Sequence, residues 1–488
     1  MSDIPYESYE PVIGLEIHTQ INTKTKMFSR APNRFGDEPN TNIGVVDTGQ
    51  PGSLPVINKE AVKKAVMFGL AIGATISKRS TFDRKSYFYP DCPRNYQITQ
   101  FENPIIKGGQ IEADVLGQTK IFEIEHAHIE DDAGMLKHFT QFAGVDYNRA
   151  GAPLIEIVSK PCMRSPKEAS SYAMAIRSIL LYLEASDCNM EEGSLRIDVN
   201  VSVRKKGETT LRPKCEIKNM NSFSNMELAI ENEIRRQIKI YEAYPHESPK
   251  ELIRSCTYRF DPEKKENILM RTKERAEDYR YFPEPDLPAL LLSDDYIESI
   301  KRNLPELPHQ RFSRYIHQLG LTEYSASVLI NDKNLCDLFE ECLKDAKNAK
   351  SVCNWITIEF EGRIKESQKT LVEFGILPQH VTSLVNMIED GTITGKIAKT
   401  IADLMIANPG KSPQLILEEN PHLKPLTDTD HLEKIVDEVL KNHPDSIVDY
   451  KAGKDRAFQF LVGQVMKQTK GTASPEIVRN LLIKKIHQ

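Results

Sequence analysis

The sequence of 488 residues predicts an α+β protein: an N-terminal domain with a largely antiparallel sheet and flanking helices, then an all-helical middle domain and a helical tail domain. Two patterns predict this class. In the first part of the chain, apolar and polar residues alternate, as they do in half-buried strands. Beyond a proline-rich segment at 282–288, apolar residues recur every three or four positions, as on the packed face of a helix. With a second break at 408–413, the expected domains are 1–292, 293–408 and 409–488.

Three segments of the N-terminal domain predict strands with one polar face. These are 11–21, 194–204 and 214–218. Because side chains alternate between the two faces of a strand, the first segment places Glu16 and His18 opposite its isoleucines and leucine. The second segment places Asp198, and the third Glu216, opposite their apolar residues. The expected sheet therefore has one apolar face and one acidic face.

A helix is predicted from residue 166 onwards. Ser165 and Glu168 form the pattern of a capping box, with proline at the first helical position. The apolar residues Tyr172, Ile176 and Leu180 follow at helical spacing, so the face that they form should pack on the sheet.

The acidic face of the sheet has two interpretations. A strand face that carries carboxylates is usually just solvated. Alternatively, the carboxylates converge, in which case their mutual repulsion is costly unless a cation lies among them. Oxygen ligands with a single imidazole suit Mg²⁺ or Mn²⁺ better than Zn²⁺.

The segment 125–134 adds further metal-binding side chains. Its two histidines, His126 and His128, are compatible with zinc, but no cysteine or further histidine is spaced to complete such a site. Glu130 and Asp131 are the better candidates, as ligands of a hard divalent ion.

Two segments, 83–91 and 278–286, mix arginine or lysine with tyrosine and phenylalanine. Such a mixture suits contact with a polyanion or a stacked base. It is also typical of strands that pack their aromatic side chains together, and this second interpretation is favoured.

Several classes of protein are excluded by what the sequence lacks. It contains no Walker-type phosphate loop, no dinucleotide-binding fingerprint and no GxSxG motif. No serine–lysine amidase cluster or cysteine glutaminase signature is present, so a nucleophile that would release ammonia is not visible. The eight cysteines are scattered without a CxxC pair, which indicates neither a disulfide framework nor a zinc knuckle.

The charge and hydropathy of the chain restrict its partners. A net charge of −6 argues against nucleic-acid binding over the whole surface. A local basic patch is present in the last 45 residues: Lys451, Lys454, Arg456, Lys467, Lys470, Arg479, Lys484 and Lys485. A solvated helix face would look the same. Neither a secretory signal nor an apolar run of the length that crosses a bilayer is found, which predicts a cytosolic, cytoplasmic protein without membrane contact.

Long motifs in this order resemble the B subunit of the glutamyl/aspartyl-tRNA amidotransferases. In the N-terminal domain they are VIGLEIHTQINTKTKMF, FDRKSYFYPDCPRNYQI, HIEDDAG, DYNRAGAPLIEIVSKP, MEEGSLRIDVNVSVR, EIKNMNSF and DYRYFPEPDLP. The tail run GKDRAFQFLVGQVMKQTKG is similar to the same family. The resemblance extends from about residue 10 to the end of the chain.

The resemblance implies an ATP-dependent ligase acting on tRNA(Gln) or tRNA(Asn) mischarged with glutamate or aspartate. In this family a cradle domain phosphorylates the side-chain carboxylate, and ammonia then displaces phosphate. The ammonia comes from glutamine in an amidase A subunit, and a small C subunit completes a heterotrimer. Phosphorylation supplies a leaving group, and Mg²⁺ neutralises charge during the transfer. The tail is expected to bind tRNA.

The resemblance also assigns roles to residues. The metal ligands are expected at Glu16, His18, Asp131, Asp198 and Glu216. The ammonia path is expected at Lys85, Arg94, Glu130 and Asp131. Phosphate contacts are expected at Arg149, Arg196 and Arg280, for which a structural ion pair is an equal alternative.

The sequence departs from the family in three places. The family often has Glu-Glu-Asp where Asp131 follows Glu130, so a shorter carboxylate must reach its target here. Arg94 stands where lysine is common, which removes a titratable amine. The stretch 29–51 has no cysteine, so the zinc knuckle of some relatives is expected to be missing.

Two other functions are compatible with the patterns alone. One is a non-catalytic tRNA-binding platform. The other is an unrelated metal-dependent ligase that acts on a free acid without tRNA.

Overall fold

The computed structural model describes residues 5–272, 279–367, 369–424, 429–469, 471 and 473–487. The chain divides into two compact units, Met1–His309 and Gln310–Gln488. The first unit contains the sheets and the second is helical, which confirms the α+β class. The further division of the second unit at residue 408 stays a prediction.

The strands of the first unit vary from two to fourteen residues. They are β1 Tyr9–Gln20, β2 Thr75–Ile76, β3 Arg79–Ser80, β4 Asp83–Ser86, β5 Tyr96–Thr99, β6 Ile106–Lys107, β7 Gln110–Val115, β8 Gln118–Asp131, β9 Met135–His138, β10 Ala143–Asp146, β11 Pro153–Ser159, β12 Leu195–Lys205, β13 Cys215–Lys218, β14 Cys256–Asp261, β15 Glu266–Thr272, β16 Phe282–Pro283 and β17 Leu290–Leu291.

In the described residues, ten strands form the main sheet, in the order β15-β14-β13-β12-β1-β11-β8-β6-β2 with β7 paired to β8. The pairs are antiparallel except for β13 with β14. The predicted alternation is confirmed in β1, where Ile13, Leu15 and Ile17 are at most 1% exposed. The long pair β1–β12 places the polar face of one strand beside that of the other.

The described residues of the first unit form five α-helices: α1 Lys59–Ala71, α2 Pro166–Tyr182, α3 Phe223–Ala243, α4 Pro249–Leu252 and α5 Asp294–Arg302. The predicted helix α2 begins at Pro166, and the Ser165 side chain accepts the Glu168 backbone N–H at 3.1 Å. The other half of the capping box differs, because the Glu168 carboxylate accepts from the backbone of Arg164 at 2.7 Å. Tyr172, Ile176 and Leu180 lie in the core of the sheet, as predicted.

The segment from Tyr279 to Asp286 packs against a part of the first unit that is distant in sequence. Its strand β16 pairs with β4, so that Phe282 lies opposite Arg84. The Arg84 guanidinium forms two hydrogen bonds, of 2.7 and 2.9 Å, with the buried carboxylate of Glu284. This segment, 279–286, is called the strap below.

The described helices from residue 308 onwards are α6 Pro308–His317, α7 Glu323–Asn331, α8 Lys333–Leu343, α9 Ala349–Asn354, α10 Glu361–Ile364, α11 Leu371–Phe374, α12 Pro378–Glu389, α13 Gly395–Ala407, α14 Pro413–Glu419, α15 Thr429–Asn442, α16 Pro444–Lys451, α17 Asp455–Gln468 and α18 Pro475–Ile486. Between α9 and α10 the chain forms a π-helix over Trp355–Phe360, in which the single tryptophan is 6% exposed. Helices α15, α17 and α18 share a hydrophobic cluster that includes Leu432, Leu461 and Leu482. No helix in the described ranges combines the length and the apolar character that crossing a membrane requires.

Candidate active site

A row of charged side chains crosses the polar face of five neighbouring strands, from β13 through β12, β1 and β11 to β8. In β12 and β1, Asp198 lies directly opposite Glu16. In β1 and β11, His18 lies opposite Glu156, which in turn lies opposite His128 of β8. Strand pairing therefore brings residues that are far apart in sequence onto adjacent positions of one face. This set is called the acid row below, and its members are Glu16, His18, His128, Glu130, Glu156, Asp198, Glu216 and Lys218.

The centre of the acid row has the geometry of a metal-binding cluster. His18 Nε2 lies 3.1 Å from Glu156 Oε2 and 3.6 Å from Glu16 Oε1. His128 Nε2 lies 3.4 Å from Glu130 Oε2 and 3.5 Å from Glu156 Oε2. Within each of these two triads the potential ligand atoms are within 4.8 Å of one another. Glu156 belongs to both triads.

The other end of the acid row holds two carboxylates around one ammonium group. Lys218 Nζ is 3.2 Å from Glu216 Oε1 and makes a short contact with Asp198 Oδ2. Thr257 donates a further hydrogen bond of 3.0 Å to Glu216. Both carboxylate side chains are 13% exposed, whereas the Lys218 side chain is 38% exposed. The ammonium thus covers the carboxylates from the solvent side.

Burial and mutual repulsion shift the protonation of the row. Burial and the neighbouring Glu156 raise the pKa of Glu16. Burial lowers the pKa of His18, but Glu156 and Asp198 outweigh it and raise that pKa to about 9. Burial opposes ionisation of Glu156, yet His128 and His18 hold its pKa below the ordinary range. The centre of the row is therefore a set of charges that stabilise one another where water is largely excluded.

A cavity of about 240 Å³ opens beside the acid row. Seven residues that were expected in the site line it: His18, Lys85, Arg94, Glu130, Asp131, Arg149 and Arg196. Its lining also includes Asp132, which accepts a 2.6 Å hydrogen bond from Arg196. Arg94 Nη1 and Arg196 Nε are buried without a protein hydrogen-bond partner. These unsatisfied donors suit an anionic ligand in the cavity.

Asp131 lines this cavity, and its contacts differ from those of Glu16. Its carboxylate is in short contact with Arg94 and accepts the backbone N–H of Ile98 at 3.0 Å. Burial raises the pKa of Asp131 to about 6, against the opposing effect of Arg94. The structure thus places Asp131 in an ion pair on the cavity wall, apart from the two triads of the acid row.

The strap covers the edge of the cavity beside Lys85. The Ser86 backbone N–H donates to the Tyr279 carbonyl at 2.8 Å, and Lys85 Nζ lies 4.9 Å from the centre of the Tyr279 ring. Tyr281 stacks on Phe101 at 4.3 Å. The two segments that mix cations with aromatics therefore pair with each other, which agrees with the interpretation as packed strands. Asp278, the first residue of the second segment, lies outside the described residues.

Arg280 and His126 lie outside both the acid row and the cavity lining, whereas Asp198 and Glu216 belong to the row but to neither triad. Arg280 is exposed, has a left-handed backbone with φ +47°, and is not part of the described cavity lining. His126, the partner in the zinc alternative, stacks on His128 at 5.5 Å but does not enter either triad of the described residues. Burial lowers the pKa of His126.

Glu156 and Lys218 were not expected in the site. Glu156 lies in the motif that carries the resemblance, between Ile155 and Ile157, which face the core. A polar residue inside such an apolar run is a signal that could have identified it. Lys218 was recognised only as part of a polar face.

Comparisons with known proteins cover nearly the whole chain. Residues 11–298 match the family described as the GatB/GatE catalytic domain, and residues 337–486 match the family described as the GatB domain. The chain is similar to the B subunit of the aspartyl/glutamyl-tRNA(Asn/Gln) amidotransferase of Protochlamydia amoebophila (strain UWE25), with 60% identity over 99% of this chain and 97% of the relative. Proteins of the same description from Chlamydia pneumoniae and Chlamydia abortus (strain DSM 27085 / S26/3) are 59% and 58% identical, and the matches cover 98% or more of each chain.

Proposed function

Because this chain belongs to the family of aspartyl/glutamyl-tRNA(Asn/Gln) amidotransferase B subunits, we propose that its acid row and cavity carry out ATP-dependent transamidation of mischarged tRNA. The substrates are Glu-tRNA(Gln), Asp-tRNA(Asn) or both. In the heterotrimer, the amidase A subunit supplies ammonia from glutamine and the small C subunit completes the assembly. The site of action is then the cytoplasm.

The donor atoms of the acid row fit a hard divalent cation. Five carboxylates, of Glu16, Glu130, Glu156, Asp198 and Glu216, lie on one face with a single imidazole in each triad. Oxygen donors with one imidazole are typical of Mg²⁺ or Mn²⁺ sites. Glu16, His18 and Glu156 would hold the ion together with Asp198 and Glu216 of the adjacent strands. When bound, Mg²⁺ would neutralise the negative charge of the ATP phosphates and of the substrate carboxylate.

The chain's own residues position and neutralise the reacting groups. Arg149 and Arg196 point into the cavity, where they can hold phosphate oxygens as the γ-phosphoryl group passes to the side-chain carboxylate. The product of that step is an acyl phosphate, and the carboxylate oxygen that accepts the phosphoryl group later leaves with phosphate. Lys85, Arg94, Glu130 and Asp131 line the wall along which ammonia would approach the acyl carbon. Exclusion of water there protects the acyl phosphate from hydrolysis.

The observation that supports this function most is the continuity of the acid row with the cavity, since His18 and Glu130 belong to both. A metal on the row and an anion in the cavity would then be adjacent. The non-catalytic platform is not favoured, because the match of residues 11–298 is to a family described as a catalytic domain.

Removal of Glu16 or Glu156 tests the proposal. In the purified heterotrimer, we expect Glu16→Ala and Glu156→Ala to abolish amide formation on tRNA and to leave the glutaminase activity of the amidase partner. Loss of one ligand should also weaken Mn²⁺ binding about tenfold to hundredfold. A matched control is Glu123→Ala, since Glu123 is 52% exposed and pairs with Lys160 away from the row. Transamidation at the wild-type rate in both site variants would overturn the metal assignment.

A further inference from the structure

Lys218 occupies the position in the acid row where a cation would meet two carboxylates at once. Its Nζ atom contacts Asp198 and lies 3.2 Å from Glu216. Asp198 is in turn directly opposite Glu16, a member of the central triad. The ammonium group therefore lies at the end of the set of carboxylates that the proposed function assigns to a divalent ion.

An ammonium and a divalent ion cannot both occupy this position. Each needs the oxygens of Asp198 and Glu216, and two cations at such a separation repel each other. A divalent ion forms stronger bonds with carboxylate oxygens than an ammonium group does, so it displaces the ammonium if the side chain can move. Lys218 can move, because its side chain is 38% exposed and its described partners are these two carboxylates.

The carboxylates, by contrast, are held in place. Asp198 and Glu216 lie on the adjacent strands β12 and β13 of a paired sheet, and Thr257 on the next strand donates a hydrogen bond to Glu216. Both side chains are 13% exposed. Without a cation, two such buried carboxylates repel each other and would separate or take up a proton. Lys218 supplies that cation while no metal is bound.

We propose that Lys218 is an exchangeable counter-ion, which holds Asp198 and Glu216 in position in the metal-free protein and gives way to the divalent ion when it binds. The inference rests on the proposed function, because it assumes that the acid row binds a metal–nucleotide complex. A flexible four-carbon stem allows the ammonium to move away from the carboxylates without movement of the strand. The exchange keeps the charge of the site nearly balanced at every stage.

The proposal predicts a change in metal affinity opposite to the one that loss of a fixed structural lysine would cause. Replacing Lys218 by methionine removes the competing cation but keeps most of the unbranched side chain. We expect Lys218→Met to bind Mn²⁺ about tenfold more tightly than the wild type in the absence of nucleotide. If Lys218 only positions the carboxylates, the affinity of the variant for Mn²⁺ falls instead.

The measurement is a titration of the intact heterotrimer with Mn²⁺, followed by calorimetry or by the loss of the free Mn²⁺ electron-spin signal. Lys160→Met is the matched control, because Lys160 forms a 3.2 Å ion pair with Glu123 and is 49% exposed, outside the acid row. Lys218→Arg retains the charge and should bind Mn²⁺ no more tightly than the wild type. Equal or weaker Mn²⁺ binding by Lys218→Met would overturn the proposal.

Failure of this inference differs from failure of the proposed function. If Glu16→Ala loses Mn²⁺ and Lys218→Met gains nothing, the acid row binds metal and only the exchange is wrong. If Glu16→Ala binds Mn²⁺ as the wild type does, the metal site itself is wrong and the exchange falls with it. Should Lys218→Met not fold, Lys218→Gln replaces it in the same titration with the same expected direction.

Discussion

The carboxyl group of Asp131 shows how burial and an ion pair compete at a single residue. The side chain is 3% exposed and in contact with Arg94, which is 7% exposed. Burial raises its pKa from 3.8 to about 6 even though the guanidinium favours the charged form. The free-energy cost of removing the carboxylate from water therefore exceeds the stabilisation that Arg94 provides. The resemblance implies that this shorter carboxylate is a metal ligand and an ammonia contact, and both roles stay predictions.

The stability of the protein should consequently depend on the protonation of Asp131. A carboxyl group whose pKa is higher in the folded state than in the unfolded state stabilises the fold below the unfolded value. That contribution is lost as the pH rises through about 6. Asp131→Asn cannot titrate, so relative to the wild type it should gain about 1 kcal/mol between about pH 5 and pH 7.5. Denaturant unfolding of the metal-free wild type and variant at the two pH values measures the difference between their unfolding free energies. If the advantage of the variant shrinks or reverses as the pH rises, the prediction is wrong.

The strap is the element that places Tyr279 beside the cavity, and a buried ion pair is one of the contacts that hold it. Glu284 is buried and accepts two hydrogen bonds from Arg84, and Asp286 adds a third contact at 3.1 Å. The Glu284 backbone N–H also donates to the Phe82 carbonyl at 2.8 Å. A buried, bidentate pair of this kind joins β16 to β4 more firmly than two residues of strand pairing could alone.

Weakening this ion pair should loosen the strap without affecting the acid row. Glu284→Gln keeps the shape of the side chain but loses the charge, at a cost of about 2 kcal/mol in unfolding free energy. Because the Ser86 amide donates to the Tyr279 carbonyl, its hydrogen exchange should accelerate in the variant. Transamidation should fall while Mn²⁺ affinity stays unchanged.

Asp294→Asn is the control for the strap. Asp294 forms a 2.9 Å ion pair with Lys78, and the two side chains are 73% and 67% exposed, respectively. Such an exposed pair contributes little to stability. Unchanged exchange at Ser86 in Glu284→Gln would show that the strap is held by its other contacts.

The sequence predicted the strands of the acid row unequally, and the reason lies in their burial. In β1, β12 and β13 one face is apolar and the other polar, so alternation placed Glu16, Asp198 and Glu216 on the polar faces of their strands. Strand β11 is a central strand with Leu154 and Ile155 both 2% exposed, one on each face. Such a strand does not alternate, and Glu156 is therefore invisible to a period of two. The contact of Lys218 with Asp198 required the order of the strands, which no local pattern contains.

At the scale of the whole molecule, the helical unit carries the basic residues that were predicted to contact tRNA. Some of them are already paired, since Lys454 lies 2.9 Å from Asp449 and Lys485 lies 3.0 Å from Asp437. Of the eight basic residues predicted to contact tRNA, four of the described ones are exposed and form no ion pair: Lys451, Arg456, Lys467 and Arg479. Lys470 lies outside the described residues. Tail binding to tRNA remains a proposal, and it now names four cations that are available for phosphate.

Neutralising these four cations should weaken tRNA binding in a salt-dependent way. Phosphate contacts release counter-ions, so the slope of log K against log salt should fall by about one for each cation that no longer meets a phosphate. The variant with all four residues changed to alanine should retain its fold, because none of the four belongs to the hydrophobic cluster of α15, α17 and α18. ATP affinity should not change.

The control for the tail is Lys484→Ala together with Lys485→Ala, since both lysines have an acidic neighbour in Glu433, at 3.9 and 3.6 Å. Binding of tRNA is measured by fluorescence anisotropy at several salt concentrations. Equal slopes for the wild type and the fourfold variant would mean that these residues are solvent-facing charge.

The single tryptophan gives the helical unit an intrinsic optical label. Trp355 is 6% exposed in the π-helix of the unit Gln310–Gln488, while the unit that carries the acid row contains only tyrosine and phenylalanine as aromatic chromophores. Selective excitation of the indole therefore follows the melting of one unit alone, whereas circular dichroism follows both. If the unfolding midpoints measured by the two signals differ, the two units unfold independently. No engineered dye is needed to detect this.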